Sequence, residues 1–296
     1  MSERETLSTI AEALVEATFI LRKAGVAESR RDAGTLLMYA LKRDRAFLIT
    51  HSDADVEDED LARFRQWVAR RAAGEPLQYI TGRQEFYGLE FEVTPDVLIP
   101  RPETELLVEQ SLALLRDTSE PRVCDVGTGS GCITVALLHE RADMRAVALD
   151  ISPAALQVAA RNAALHVVKE RVEFRVSDCF DALTRDGEHH SGATFDIIVS
   201  NPPYIAADEI GDLQREVREH EPRAALTPGG DGLDMIRRLV AEAPSFLVNG
   251  GHFLFEIGFN QHRAVRELID PRVWTLLDIH TDLQGIPRVV ALRRAK

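Results

Sequence analysis

Cysteine is scarce in this chain. Cys124, Cys132 and Cys179 are odd in number and share no paired metal-ligand spacing, which argues against a disulfide framework and against a zinc centre. They suit buried thiols of a reducing compartment, so the expectation is a cytoplasmic protein. Long hydrophobic runs are also missing: no stretch approaches the roughly 18 apolar residues of a membrane span. Met1-Ser2-Glu3-Arg4-Glu5 lacks the basic lead and apolar core of a secretory signal. There is no internal repeat and no low-complexity tract. An excess of positive charge is absent as well, since the net charge is −13. Residues 1–74 hold 13 acidic against 12 basic side chains, while residues 75–296 carry 35 against 23. Binding to phosphate backbones draws its affinity from counterion release by Lys and Arg. Direct nucleic-acid binding is therefore not expected, although Arg70-Arg71 and Arg83 offer a local basic patch.

What is present falls into two styles. At 296 residues the chain is long enough for two domains. The first 80 residues read as helices only. Ile10, Leu14, Ala17 and Leu21 share one helical face, with Gly25 as a stop. Ser29 and Asp32 resemble a capping pair that opens a second helix through Leu36, Leu37 and Ala40. Phe47-Leu48-Ile49 suggests a short helix. The acidic run from Asp53 to Asp60 leads into Leu61, Phe64, Trp67 and Val68, with Arg70-Arg71 near the end, as the helix dipole favours. Residues 81–100 form a connecting β-hairpin, since the sequence from Glu85 to Val93 alternates around Gly88.

From 101 onward strands alternate with helices. Strands are expected at 123–126, 146–150, 172–177, 195–200, 252–257, 274–280 and 288–292, and helices at 131–140, 153–165, 231–247 and 260–269. The fold class is therefore α/β, a doubly wound and mainly parallel sheet of seven strands beside a small all-helical N-terminal domain. No helix separates the last two strands, so they should close as an antiparallel hairpin.

Two motifs on strand ends carry the chemistry. Gly127-Thr128-Gly129-Ser130-Gly131 follows the first strand of the sheet and opens a helix. Glycines in alternate positions let the backbone turn sharply and approach a ligand where a Cβ would collide. Cys132 stands where the dinucleotide fingerprint requires its third glycine, and there is no Walker lysine. Asp150 ends the next strand, where a carboxylate can accept both hydroxyls of a ribose. Asp178-Cys179 follows the third, where Asp178 can accept from an exocyclic adenine amine. Three successive strand ends bearing glycines, acid and acid match a pocket for a phosphate-free nucleoside such as S-adenosylmethionine. The second motif is Asn201-Pro202-Pro203-Tyr204, directly after the apolar run Phe195–Ser200. It offers a planar NH2 group two acceptors, Asn201 Oδ1 and the Pro202 carbonyl, and the ring of Tyr204 to lie against. Each proline holds the residue before it in an extended conformation. An amide nitrogen is a poor nucleophile, and two fixed acceptors would aim it at a methyl carbon and stabilise the charge that develops there.

Over almost its whole length the chain resembles the peptide chain release factor glutamine methyltransferases. The resemblance is carried by Gly74-Glu75-Pro76-Leu77-Gln78-Tyr79-Ile80-Thr81-Gly82, Glu85-Phe86-Tyr87, Leu98-Ile99-Pro100-Arg101-Pro102-Glu103-Thr104-Glu105, the glycine turn and Ser200 to Tyr204. It implies a class I methyltransferase domain at 101–296 and a helical substrate-recognition domain at 1–80. It implies a cytoplasmic, monomeric enzyme that uses S-adenosylmethionine to methylate N5 of the glutamine in the GGQ motif of bacterial class I release factors. It places the donor at residues 127–131, Asp150, Asp178 and Cys179, with Arg101 beside them, and the glutamine amide at Asn201, Pro202, Pro203 and Tyr204. Cys179 departs from the aromatic residue of many relatives, which leaves Phe180 as the candidate flat contact. Two rivals share the motifs: the sister family that methylates a ribosomal-protein glutamine, and the adenine-N6 methyltransferases of nucleic acids.

Overall fold

The computed structural model describes residues 8–184 and 194–295, so the reading of the extreme N-terminus lies outside the described residues. The chain divides into two compact units. One runs up to Gly82 and takes in Gln214–His220; the other holds Arg83–Leu213 and the chain from Glu221 onward.

The first unit is built on helices α1 (Ile10–Lys23), α2 (Ser29–Leu41), α3 (Arg45–Thr50), α4 (Asp58–Ala72) and α5 (Leu77–Thr81). Helix α1 starts at a capping box: the Thr9 hydroxyl accepts from the Glu12 amide at 3.3 Å, and the Glu12 carboxylate accepts from the Thr9 amide at 2.9 Å. It buries Ile10, Ala13, Ala17 and Leu21, three or four positions apart, against Leu36, Leu37, Phe64 and Val68. The proposed Ser29–Asp32 cap does not form. Ser29 lies inside α2, whose N-cap Glu28 makes no side-chain cap. The Asp32 carboxylate instead accepts from Arg71 Nε at 2.8 Å, with Asp32 buried. Arg71 also reaches Glu216 at 2.6 Å, so the charge of α4's last turn is neutralised from two sides. Arg71 is the costly member to remove, because its loss strands the buried charge of Asp32.

The second unit opens with the hairpin β1 (Arg83–Phe86) and β2 (Leu89–Glu92). Its turn residues Tyr87 and Gly88 have φ of 54° and 73°, both positive, as a tight primed turn requires. The hairpin is fastened to the unit by Asn162, which accepts from the Glu92 amide at 2.7 Å and donates to the Glu92 carbonyl at 3.0 Å. After helix α6 (Glu105–Leu114) come β3 (Arg122–Val126), α7 (Cys132–Glu140), β4 (Arg145–Asp150), α8 (Pro153–Leu165), β5 (Val172–Val176), β6 (Phe195–Ser200), β7 (Leu247–Glu256), β8 (Trp274–Thr281) and β9 (Pro287–Arg294). The strands form one sheet in the order β5-β4-β3-β6-β7-β9-β8. The pairs from β5 to β7 are parallel, and β9 runs antiparallel to both β7 and β8. The terminal hairpin therefore enters the sheet backwards, with the last strand inside and β8 at the edge. The expected 231–247 helix is shorter: it spans Asp234–Glu242 and gives way to a 3-10 turn containing Pro244, which has no amide hydrogen to donate.

Apolar side chains cover both faces of the sheet. Leu107, Ile133 and Leu137 pack with Ile197 and Val199 on one side, while Ile236, Leu239 and Phe180 pack with Ile198 and Phe253 on the other. Adjacent residues of β6 thus feed opposite cores, as the pleat dictates. Full burial of each such side chain is worth about 1.5–3 kcal/mol. Strand order reverses between β3 and β6, the crevice where open α/β sheets bind their ligands.

Candidate active site

Above that crevice lies a cavity of about 260 Å³, lined by both sequence motifs. The glycine turn leaves β3 with the Gly127 and Thr128 amides bonded to the Leu149 carbonyl of β4, at 2.8 and 2.9 Å. Gly131 ends the turn at φ 79°, and a Cβ there would lie 3.0 Å from the Ala159 Cβ of α8. Glycine is what lets α7 start this close to its neighbour. Gly127, Thr128, Gly129 and Ser130 line the cavity.

Beneath the turn Asp125 is wholly buried. Its Oδ2 accepts from the Thr128 and Thr134 hydroxyls at 2.8 and 2.7 Å. Burial pushes its carboxyl up to about 6. Asp125 Oδ1 and Ser130 Oγ are buried without a hydrogen-bond partner among the described residues. Asp125 stands one residue before the end of β3 and supports the turn from below without bordering the cavity itself.

Asp150 stands at the end of β4 and lines the cavity. Its Oδ2 accepts the Gly129 amide at 2.8 Å and its Oδ1 the Ser152 amide at 2.9 Å. Each oxygen keeps a second lone pair. Burial raises this carboxyl from its ordinary value. Asp178 and Cys179 line the far end. Asp178 also accepts from Arg238 at 2.5 Å, so one of its oxygens is shared with an ion pair. Phe180 does not substitute for an aromatic contact: it is buried in the core and stacks on Phe246 with ring centroids 4.8 Å apart. Arg101 borders the cavity, but its guanidinium donates to the buried Glu221 carboxylate. The same carboxylate accepts the Ile99 amide at 3.2 Å and so fixes the proline-stiffened segment.

The Ser200 hydroxyl donates to the Val126 carbonyl at 2.7 Å and ties the end of β6 to that of β3. The next residues, Asn201, Pro202 and Pro203, face the cavity that the glycine turn faces. Asn201 Nδ2 donates to Thr104 Oγ1 at 3.0 Å. Tyr204 departs from the expectation. It is not among the cavity-lining residues, and its hydroxyl donates to Glu256 Oε1 at 2.9 Å. That carboxylate and burial hold the Tyr204 phenol well above its ordinary value.

Residues 12–82 match the family described as PrmC N-terminal domain, and residues 117–258 match that described as Methyltransferase domain. The chain is 45% identical to the Release factor glutamine methyltransferase of Koribacter versatilis, over 97% of this chain and 99% of that one. It is 46% identical to the protein of the same name from Cereibacter sphaeroides, over 96% and 98%. The chain belongs to the release factor glutamine methyltransferase family. Its sheet unit is the catalytic domain of a methyltransferase of class I fold. The fold is shared with the hMettl16 catalytic domain in complex with MAT2A 3'UTR hairpin 6, at a TM-score of 0.52 and 16% identity, covering 81% of this chain and 82% of that one. In this member of the family the donor set fits S-adenosylmethionine. The partly buried Asp150 and the exposed Asp178 present carboxylate oxygens to the cavity that suit its hydroxyls and its positive charge, and the glycine turn leaves backbone rather than side chains at the wall.

Proposed function

We propose that this enzyme transfers the methyl group of S-adenosylmethionine to N5 of the glutamine in the GGQ motif of class I peptide chain release factors. The observation that carries the reading is that Asn201 and Pro202 line the same cavity as the glycine turn and Asp150. When bound, the donor supplies an electrophilic methyl carbon on a sulfonium. Gly127, Gly129 and Asp150 hold it, and Asp178 and Cys179 close the other end. Asn201 Oδ1 and the Pro202 carbonyl accept the two hydrogens of the glutamine NH2 and turn its lone pair toward the methyl. Nitrogen would gain positive charge as the C–N bond forms and the methyl–sulfur bond breaks, with the electron pair left on a neutral thioether, and these oxygens stabilise that charge where it appears. The amide proton becomes acidic only on methylation, so solvent suffices to take it.

The matches along the whole chain to proteins named for release factors support this substrate over a ribosomal protein. The acidic surplus of residues 75–296 supports a protein over a nucleic acid. Among the described residues no helix is long and apolar enough to cross a membrane. A monomer working in the cytoplasm, with the helical unit as the part that recognises the release factor, completes the proposal. The test is mass spectrometry of a purified class I release factor after incubation with enzyme and labelled donor. One methyl group on the GGQ glutamine is expected; an unmodified factor, or label on another residue, would overturn the substrate.

A further inference from the structure

Asn201 has an ambiguity that the proposed chemistry cannot tolerate. Its carboxamide ends in a donor and an acceptor of nearly equal size. Only the orientation that presents Oδ1 can receive an amide hydrogen. The opposite one sets an NH2 against the substrate's own NH2. We propose that Thr104 and Glu256 are positioning residues that fix this orientation through a one-way chain of hydrogen bonds, an inference that rests on the reading of Asn201 as an amide acceptor.

The direction is set at the buried end. Glu256 closes β7 and is 1% exposed. Both of its oxygens are engaged by hydroxyl groups: Oε2 accepts from Thr104 Oγ1 at 2.6 Å and Oε1 from Tyr204 at 2.9 Å. An ionised carboxylate accepts only. The single hydrogen of Thr104 is thereby spent on Glu256, which leaves Oγ1 nothing but lone pairs to offer. Its other partner must be a donor, so Asn201 turns Nδ2 toward Thr104. Oδ1 is then the end left for the substrate. Arg288 and Glu103 also act on the charge of Glu256, the first favouring it and the second opposing it. Burial opposes it most, while the two hydroxyls favour it.

This chain gives the Leu98-Ile99-Pro100-Arg101-Pro102-Glu103-Thr104 segment a task other than donor contact. Glu221 accepts from Ile99 and Arg101 and fixes the path of the segment. Thr104 lies in the 3-10 turn Pro102–Thr104 that follows. A hydroxyl delivered there reads the carboxylate on one side and instructs the carboxamide on the other.

The test compares Thr104→Val, Thr104→Ser, Glu256→Gln and Asn201→Ala in the full-length enzyme, with a release factor as substrate. Valine keeps the shape of threonine without its hydroxyl, and serine restores the hydroxyl. Thr104→Val should lower kcat about 10- to 100-fold with donor Kd close to wild type, and should lower the melting temperature as well because a buried Glu256 oxygen loses its partner. Thr104→Ser should recover kcat to within about threefold of wild type. Glu256→Gln can turn its own NH2 toward Thr104 and reverse the chain, so kcat should fall about tenfold despite equal size. Thr104→Val with unchanged kcat, beside an inactive Asn201→Ala, overturns the positioning chain and leaves the acceptor reading standing. Full activity in Asn201→Ala overturns the acceptor reading itself. Loss of kcat matched by lost donor binding, or failure of serine to rescue kcat, reduces Thr104 to a structural staple and overturns the proposal.

Discussion

Asp150 Oδ2 accepts the Gly129 amide hydrogen at 2.8 Å, so the carboxylate assigned to the donor's ribose also holds the glycine turn in shape. One residue thus serves both walls of the donor pocket. The strand end of β4 and the turn after β3 cannot drift apart while that bond persists.

Removing this carboxylate should act on donor binding first. Asp150→Ala is expected to weaken donor affinity about 10- to 100-fold, the loss of charge-assisted bonds worth roughly 1.5–3 kcal/mol. Isothermal calorimetry with S-adenosylmethionine checks it. A defect confined to turnover at saturating donor would contradict the ribose assignment.

Removing the acceptor carboxamide should do the reverse. Asn201→Ala is expected to leave donor Kd unchanged and lower kcat by about 10²- to 10³-fold, as the loss of one preorganised partner of the developing charge does. Single-turnover kinetics at saturating release factor separates this from weaker substrate binding.

Donor affinity should depend on pH through Asp125. Burial puts this carboxyl at about 6 beneath a pocket for a cation. The ionised form attracts the sulfonium and the protonated form does not, so affinity should rise as pH increases through about 6. One charge interaction of roughly 1 kcal/mol corresponds to about fivefold. Titrations at pH 5, 6 and 7 measure the slope, and Asp125→Asn should bind more weakly with little slope of its own.

The loop beyond the acceptor motif should tolerate no side chain at Gly232. Its φ is +79°, and a Cβ there would lie 2.3 Å from the Tyr204 carbonyl oxygen and 3.0 Å from the Ala206 nitrogen. Backbone cannot yield as a flexible side chain would. Gly232→Ala is expected to destabilise the fold by about 1–3 kcal/mol and to depress kcat by shifting the loop that carries Pro203 and Tyr204. Thermal denaturation together with turnover decides it; a variant indistinguishable from wild type would show that the loop relaxes freely.

The parts of the site that were legible in sequence are those whose physics is local. A glycine turn between strand and helix, or a proline after an asparagine, constrains its own neighbours and can be read from a few letters. The Thr9–Glu12 capping box has the same spacing as the Ser29–Asp32 pair expected to open α2, yet only the first forms. What separated them was Arg71, a partner 39 positions away that drew Asp32 out of any capping role. Long-range partners account for the other departures. Nothing near Tyr204 announces Glu256, 52 positions on, and nothing near Thr104 announces Asn201, 97 positions on. The antiparallel pairing of the last two strands follows from their short connection. Which of them lies beside β7 depends on packing that no local pattern encodes.

Gln214–His220 completes the helical unit although most of that unit lies before Gly82. During synthesis the first 82 residues therefore emerge without the Glu216 carboxylate that Arg71 later receives. The N-terminal helices can collapse early, but their final charge balance waits until more than two-thirds of the polypeptide has left the ribosome. A truncation that begins after Gly82 would carry the Arg215–His220 helix stripped of its companions, so a catalytic fragment is better cut with that insertion replaced by a short linker.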